Sequence, residues 1–348
     1  MPSPDVAVII LSWNGRTFLE KFLPSVVAHT PLSLSRIIVA DNGSTDDSEE
    51  VVKRFVGVEW MPLKKNYGFA EGYNQAIAST NAKWIVLLNQ DVEVSEGWLA
   101  SLLSFAEAHP NLGACQPKIL SLTEKNKFEY AGAAGGMLDK YGYPFCRGRI
   151  FETVEEDKGQ YNDAKEIAWA SGACMLVSRE AYLNAGGLDA EFFAHMEEID
   201  LCWRMKNAGK EIWYVPDSKI YHLGGGSLPQ GNPRKTFLNF RNNLMMLYKN
   251  LPVKKRSGII FSRMLIDHVA AYRALFSGNT KDFKAIAKAH YHFLFRSREW
   301  KKKQTLLSLK LQQASKKNNS DYLKFPGFMK GSIVWKYFIG KKKKYSDL

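Results

Sequence analysis

Residues 84–91 read WIVLLNQD, and this stretch limits what the chain can become. The apolar run 84–88 is too short for a helix core and suits a strand buried on both faces. Such strands belong to parallel sheets covered by helices. Asn89, Gln90 and Asp91 follow at the carboxyl end, the edge where open α/β sheets bind ligands. A carboxylate there can hold a divalent cation, and a cation can bridge a diphosphate. Taken alone, the same residues also admit a turn that caps the next helix.

The preceding residues repeat the pattern. Residues 6–11 (VAVIIL) form an apolar strand ended by Ser12, Trp13 and Asn14, and residues 17–27 carry helical spacing. Residues 36–40 form a second strand ending at Asp41, after which Ser44 or Thr45 can cap a helix to residue 55. A third strand at 58–63 ends near Asn66, and a helix at 69–79 follows Gly68. Strands alternating with helices predict a parallel, doubly wound sheet. Asn14, Asp41, Asn66, Asn89 and Asp91 then share one rim. One Asx after a strand means little, but a rim of them describes a ligand cleft. The chain has no GxxxxGK[ST] and no GxGxxG after its first strand, which argues against a P-loop enzyme and a dinucleotide oxidoreductase.

Beyond Pro110 the pattern loosens. A strand is expected at 113–117. Residues 132–149, rich in glycine and aromatics, read as a flexible loop over the cleft or an ordinary surface hairpin. Residues 152–165 read as polar loop and 168–177 as a second strong strand. Ile199, Cys202, Trp203 and Lys206 fall on one helical stripe, with Gly209 at the end. Its first turn carries Glu197, Glu198 and Asp200. Acids suit a helix N-terminus, but three beside Phe192, Phe193 and His195 exceed what a cap requires. A strand at 211–215 is followed by Tyr221, His222 and the glycines 224–226. The glycine run raises the odds that His222 serves a site.

Composition bounds the class. At 348 residues and 45% hydrophobic content the chain is globular, with room for one large domain or two. No basic leader and no run of about 18 uncharged apolar residues is present, so neither a signal peptide nor a spanning helix is expected. The four cysteines form no CxxC pair and are expected to be reduced, buried thiols in the cytoplasm. Charge is uneven. Residues 249–348 hold 24 Lys and Arg against 5 Asp and Glu, leaving 24 basic and 30 acidic residues before them. A mildly acidic body thus carries a strongly basic tail, suited to nucleic acid or an anionic membrane surface. Phe261, Leu265, Val269, Tyr272 and Phe276 make one helical stripe in the tail, and Phe283, Ile286, His290 and Phe293 another. Aromatic, basic amphipathic helices suit a membrane interface. They could equally pack on the body and leave the lysines in water.

Together these motifs resemble the family 2 glycosyltransferases of GT-A fold, in particular the rhamnosyltransferase-like branch of bacterial surface polysaccharide synthesis. The resemblance rests on 12–14 (SWN), 40–46 (ADNGSTD), 66–74 (NYGFAEGYN), 88–91 (LNQD), 172–176 (GACML) and 197–202 (EEIDLC), and spans about residues 6–252. It implies a GT-A domain over 1–250, with a nucleotide-binding half to 117 and an acceptor half after it, and a basic helical extension over 251–348. It implies that Ser12, Asn14, Asp41, Asn66, Gly68, Asn74 and Asn89 bind a nucleotide-sugar donor, with Asp41 accepting from a pyrimidine ring N–H. It implies that Asp91 and His222 hold a divalent cation, Mg²⁺ or Mn²⁺. The usual DxD-type motif is here Asn-Gln-Asp, acidic only at its last position. Glu198 stands where the family has the aspartate of a Glu-Asp pair, so Glu197 or Glu198 would be the base. The family inverts the anomeric centre, and its acceptors are glycans, often on polyprenyl lipids. A cytoplasmic enzyme peripheral to the membrane's inner face is implied.

Two rivals stay open. A sugar nucleotidyltransferase would use nucleotide, metal and acids on such a rim. A basic nucleic-acid-binding protein is suggested by the tail. Against it, the body is net acidic and carries no familiar nucleic-acid module.

Overall fold

The computed structural model describes residues 5–224, 232–314 and 321–348, so Gly225 and Gly226 of the glycine run lie outside the described residues. Strands β1 (Val6–Ser12), β2 (Ser35–Asp41), β3 (Val58–Pro62) and β4 (Trp84–Asn89) run parallel in the order β3-β2-β1-β4. Helices α1 (Arg16–His29), α2 (Ser48–Val52) and α3 (Gly68–Ala78) connect them. Ile85, Val86, Leu87 and Leu88 are fully buried. Each such side chain contributes about 1.5–3 kcal/mol by leaving water. The register sets Ser12 beside Asp41 and Leu11 beside Asn89, so three strand ends are level.

After β5 (Val92–Val94) and α4 (Trp98–Ala108), β6 (Leu112–Ser121) returns to the main sheet. A second sheet begins with β7 (Gly136–Asp139), β8 (Pro144–Cys146), β9 (Arg149–Ile150) and β10 (Thr153–Val154). The chain re-enters the main sheet through β11 (Lys165–Glu166) and β12 (Cys174–Ser178). β12 lies antiparallel to β4. Helices α5 (Arg179–Asn184) and α6 (Glu197–Asn207) lead to β13 (Glu211–His222), parallel to β6. The end of β13 also pairs with β5, setting His222 opposite Val92, next in sequence to Asp91.

Helices α7 (Pro233–Asn250), α8 (Val253–Phe276), α9 (Thr280–Phe295) and α10 (Ser297–Ala314) follow. β14 (Phe328–Met329) then adds beside β7, and α11 (Ile333–Phe338) closes the chain. Leu251, Phe293, Trp300, Tyr322 and Ile333 belong to the same apolar core as the main sheet. The change in sequence character near residue 250 is therefore not a break in the core.

Several local expectations are corrected. Residues 132–149 are neither a flexible loop nor a surface hairpin: they supply buried strands, with Phe145 and Cys146 in the core. Glycines there let backbone approach bulky neighbours, and a Cβ on Gly136 would strike the Trp169 ring. Ser44 and Thr45 do not start α2, whose N-cap is Asp47. They bond Asn14 instead. The strand expected at 168–177 begins only at Cys174 and runs to Ser178. β13 runs on to His222, past the expected end at residue 215, with register shifts on the way. The tail's two stripes part company. Ile286, His290 and Phe293 are buried, whereas Phe261, Leu265, Val269, Tyr272 and Phe276 face outward.

Candidate active site

The donor side of the rim is a set of interlocked turns. Asp41 is buried, and its carboxylate accepts the Ser44 N–H at 3.1 Å. Asn14 Oδ1 accepts the Thr45 N–H at 2.8 Å, and the Asn14 N–H donates to Ser44 Oγ. Thus the loop after β1 holds the loop after β2. Asn66 Oδ1 accepts the Gly68 N–H at 2.8 Å. Asn42 clamps that turn, donating to Asn66 Oδ1 and the Gly68 carbonyl and accepting from the Tyr67 N–H. Gly68 has φ +78°, and a Cβ there would lie 2.8 Å from the Phe193 ring. Ser12 Oγ donates to Gln90 Oε1 at 2.8 Å, tying β1 to the loop after β4.

Asn74 does not join this rim. Its Oδ1 accepts from Tyr182 Oη and the Leu188 N–H, and its Nδ2 donates to Glu71 and the Leu188 carbonyl. A side-chain amide has two donors and two acceptor sites, so Tyr182, Glu71 and Leu188 together use all of them. The amide expected to bind donor is thus engaged within the protein itself.

At the centre, His222 Nε2 stands 3.2 Å from Asp91 Oδ1 and 3.4 Å from Asn89 Nδ2. Its Nδ1 is 3.5 Å from Glu129 Oε2. Burial disfavours the charged ring, but bonding to the Asp91 and Glu129 carboxylates outweighs this and pushes the His222 pKa up to about 10. The donor set fits a hard divalent cation: a carboxylate, an imidazole nitrogen facing it, and a further carboxylate on the ring's far side to fix its tautomer. A cation would take the proton's place at Nε2. Among the described residues no group of three or more His, Cys, Asp or Glu side chains is placed to hold a metal ion.

On the facing side, residues 193–196 form a strained corner. Phe193, His195 and Met196 have φ of 63°, 70° and 74°. Left-handed non-glycine residues cost about 1–3 kcal/mol each and persist where surrounding structure over-determines them. Here Asn242 Nδ2 lies 2.8–3.0 Å from the carbonyls of Phe192, Ala194 and His195. Arg241 adds bonds to the Glu191 and Phe192 carbonyls. The Phe69 N–H donates to the Phe193 carbonyl at 3.1 Å, fastening the corner to the donor side.

That corner delivers Glu197 and Glu198 at the start of α6. Each has one buried oxygen, Oε2, without a hydrogen-bond partner. Burial pushes Glu197 well above the usual carboxylate range, and the neighbouring Glu198 charge adds to the rise. Burial likewise raises Glu198, to about 7, against backbone N–H groups that favour its ionised form. Burial and the Lys235 charge lower the His195 pKa to about 4, so its ring stays neutral. A Cβ on Gly172 would lie 3.9 Å from Glu198 Cβ, and the next residue, Ala173, accepts the Asn89 N–H at 3.0 Å. Ser171 Oγ donates to the Ala131 carbonyl. The segment 171–173 thus joins Glu198, the end of β4 and the loop after Glu129.

Of the expected site residues, Ser12, Asn14, Asp41, Asn66, Gly68, Asn89, Asp91, Glu197, Glu198 and His222 lie on these connected loops. Glu129, Asn42, Gln90 and Asn242 were missed. Asn42 and Gln90 sit inside quoted motifs and could have been found there. Glu129 and Asn242 stand in stretches with no pattern, and only the fold brings them in.

The chain belongs to glycosyl transferase family 2, whose family model matches residues 7–184. Among curated proteins it is 30% identical to the N-acetylglucosaminyl-diphospho-decaprenol L-rhamnosyltransferase of Mycobacterium tuberculosis, over 62% of this chain and 75% of that protein. It is 26% identical to the rhamnosyltransferase WbbL of Escherichia coli K12, over 62% and 83%. It is 22% identical to the dTDP-rhamnosyl transferase RfbF of Shigella flexneri, over 71% and 81%. Among solved structures, GalNAc-T7 with UDP, GalNAc and Mn²⁺ superposes with a TM-score of 0.56 at 18% identity, over 70% of this chain and 48% of that one. The mannosyltransferase PcManGT of Pyrobaculum calidifontis, with GDP-Man and Mn²⁺, gives 0.52 at 15%, over 89% and 86%. The fold is accordingly GT-A, and the relatives are rhamnosyltransferase-like.

Proposed function

We propose that the protein is an inverting glycosyltransferase. It moves a sugar, with rhamnose favoured by the relatives, from a uridine or thymidine diphosphate donor to a hydroxyl of a lipid-linked glycan. The observation that carries this reading is the Glu198 carboxylate. It is raised, it has an unpartnered oxygen, and it lies beside the 171–173 segment that touches the end of β4. A carboxyl tuned near neutrality in a cleft is suited to take a proton from an attacking hydroxyl.

The rest of the site supports the donor. Asp41 would accept from the base N–H, with its own orientation fixed by Ser44. Asn66 and Gly68 would line the nucleotide pocket. Asp91 and His222 would hold a divalent cation, which when bound neutralises the leaving diphosphate. Glu198 would deprotonate the acceptor hydroxyl as it attacks the far side of the anomeric carbon. One displacement inverts that centre. Glu197, more deeply buried and more strongly disfavoured as an anion, would stay protonated beside it.

The decaprenol-linked acceptor named for the mycobacterial relative supports a lipid-borne acceptor here. That in turn supports a cytoplasmic enzyme working at the inner face of a membrane, and no described helix is long and apolar enough to cross one. The test is incubation of the purified protein with a panel of uridine and thymidine diphosphate sugars and a lipid extract. Release of nucleoside diphosphate is expected with at least one donor. Release of pyrophosphate from a nucleoside triphosphate and a sugar 1-phosphate, with no nucleoside diphosphate released from the sugar panel, would instead identify a nucleotidyltransferase.

A further inference from the structure

The outer faces of α8 and α11, from distant parts of the chain, both carry exposed apolar side chains, and the two helices meet at Arg273 and Phe338. On α8 the stripe ends in Val269, Tyr272 and Phe276, the last 85% exposed. On α11, Trp335 is 69% exposed and Ile339, just after the helix, 64%. Arg273 joins the two, with its guanidinium 5.4 Å from the centre of the Phe338 ring. α11 is held firmly: Phe338 packs 5.2 Å from Phe151, and Tyr337 Oη lies 2.9 Å from Thr153 Oγ1.

Lysines 341–344 follow directly, all exposed, and none makes an ion pair among the described residues. At the other end of α8 Lys254 stands exposed, and Lys255 beside it pairs with Asp321 at 3.2 Å. An apolar face rimmed by cations at both ends complements a bilayer carrying anionic headgroups, which draws in the lysines while the aromatic and aliphatic groups enter the interface. Nucleic acid would use the charge but leave the aliphatic stripe in water.

The surface also has a fixed relation to the site. Phe151, which packs on Phe338, precedes Glu152. Glu152 lines a cavity of about 420 Å³ together with Tyr130, Glu124 and Glu129, and Glu129 faces His222. The cavity wall thus includes Glu152, the residue next to Phe151, and Glu129, which faces the candidate cation site. Its carboxylates and Tyr130 are hydrogen-bonding partners for sugar hydroxyls.

We propose that the joined α8–α11 face docks on an anionic lipid bilayer and so presents the Glu129–Glu152 cavity to an acceptor at headgroup level. The acceptor's place rests on the glycosyltransferase reading, whereas the docking surface does not. The tests need neither donor nor acceptor, so docking can fail while catalysis stands, and the reverse.

The full-length protein is sedimented with phosphatidylglycerol-containing vesicles and with phosphatidylcholine vesicles. Binding to the anionic vesicles alone is expected. F276S combined with W335S should weaken it by about tenfold or more, because both side chains are exposed and contribute interfacial burial. K341E combined with K342E should weaken it chiefly at low salt. Circular dichroism of each variant checks that the fold is kept. For orientation, an environment-sensitive dye is placed on I339C or on V56C. The four native cysteines are buried, and Val56 is 91% exposed on the β2–β3 side. The dye at 339 should shift to the blue with vesicles, and the dye at 56 should not. Recovery of the wild type in the supernatant, equal binding by the serine variant, or equal response at both dye positions would overturn the proposal. So would a dimer in solution that F276S and W335S abolish, which would assign the face to a second copy.

Discussion

His222 Nε2 faces Asp91 Oδ1 across 3.2 Å, although 131 residues separate them in the chain. The pairing of β13 with β5 makes this contact, and Glu129 backs the ring from the other side. D91A should lower kcat/KM by about 100-fold or more, since removing even an outer partner of a metal ligand costs about 10–100-fold. E129Q should weaken Mn²⁺ binding by about 10–100-fold, read by electron paramagnetic resonance in the presence of nucleoside diphosphate. Unchanged Mn²⁺ affinity in E129Q would remove Glu129 from the site, and full activity in D91A would move the cation elsewhere.

Glu198 should set the acid limb of the pH profile. Its raised pKa means that the carboxylate needed as base is lost as pH falls below about 7. kcat/KM should then drop about tenfold per pH unit. E198Q should cut kcat by about 100- to 10,000-fold with donor affinity kept, because glutamine has the same shape but takes no proton. E197Q should retain most activity. If E197Q is the inactive variant, the roles of the two are exchanged.

Asp41 should matter for binding more than for chemistry. D41A leaves a base N–H without its buried acceptor, at a cost of about 1–3 kcal/mol, or about 5- to 150-fold in Kd. Calorimetric titration with UDP and dTDP measures it. An equal Kd for wild type and variant would contradict the assignment.

Stability should depend on Lys249, whose Nζ lies 2.8 Å from Asp189 and 2.7 Å from the fully buried Asp200. Burial alone would raise the Asp189 pKa, but Lys249 and Lys303 outweigh it and hold it below the usual range. This contribution is present above the unfolded pKa of about 4 and is lost as pH falls through the lower folded value. K249M should cost about 3 kcal/mol, at the low end for a broken buried pair because Arg204 and Asn250 still serve Asp200. Acid unfolding should also begin at higher pH in the variant. Urea titrations at neutral and acid pH test both statements.

The parallel half of the fold was legible because β1, β2 and β4 are short apolar runs that each end in a polar group. Such runs are too short for a helix core, and their length decides for strand. The glycine-rich 132–149 segment was not legible. Its burial depends on β14, some 180 residues later, and on Trp169 filling the space above Gly136. The two tail stripes look alike in sequence, since both carry aromatics at helical spacing. Only tertiary packing decides that Phe293 meets Trp300 while Phe276 meets solvent. In the site, Asp91 and Glu198 stood out as acids at element ends. Asn74 shares a motif with Asn66 and Gly68, but the fold engages its amide with Tyr182, Glu71 and Leu188, which no local pattern shows. Glu129 had no local signal: a lone glutamate gains meaning only when β6 and β13 bring it to His222.

The proposed reaction is a single displacement at the anomeric carbon with departure of a nucleoside diphosphate. The most direct measurement follows that carbon by NMR in a reaction with a donor that turns over. One nucleoside diphosphate per glycoside formed is expected, with a product of opposite anomeric configuration to the donor. Retained configuration, or nucleoside diphosphate released without glycoside, would contradict it.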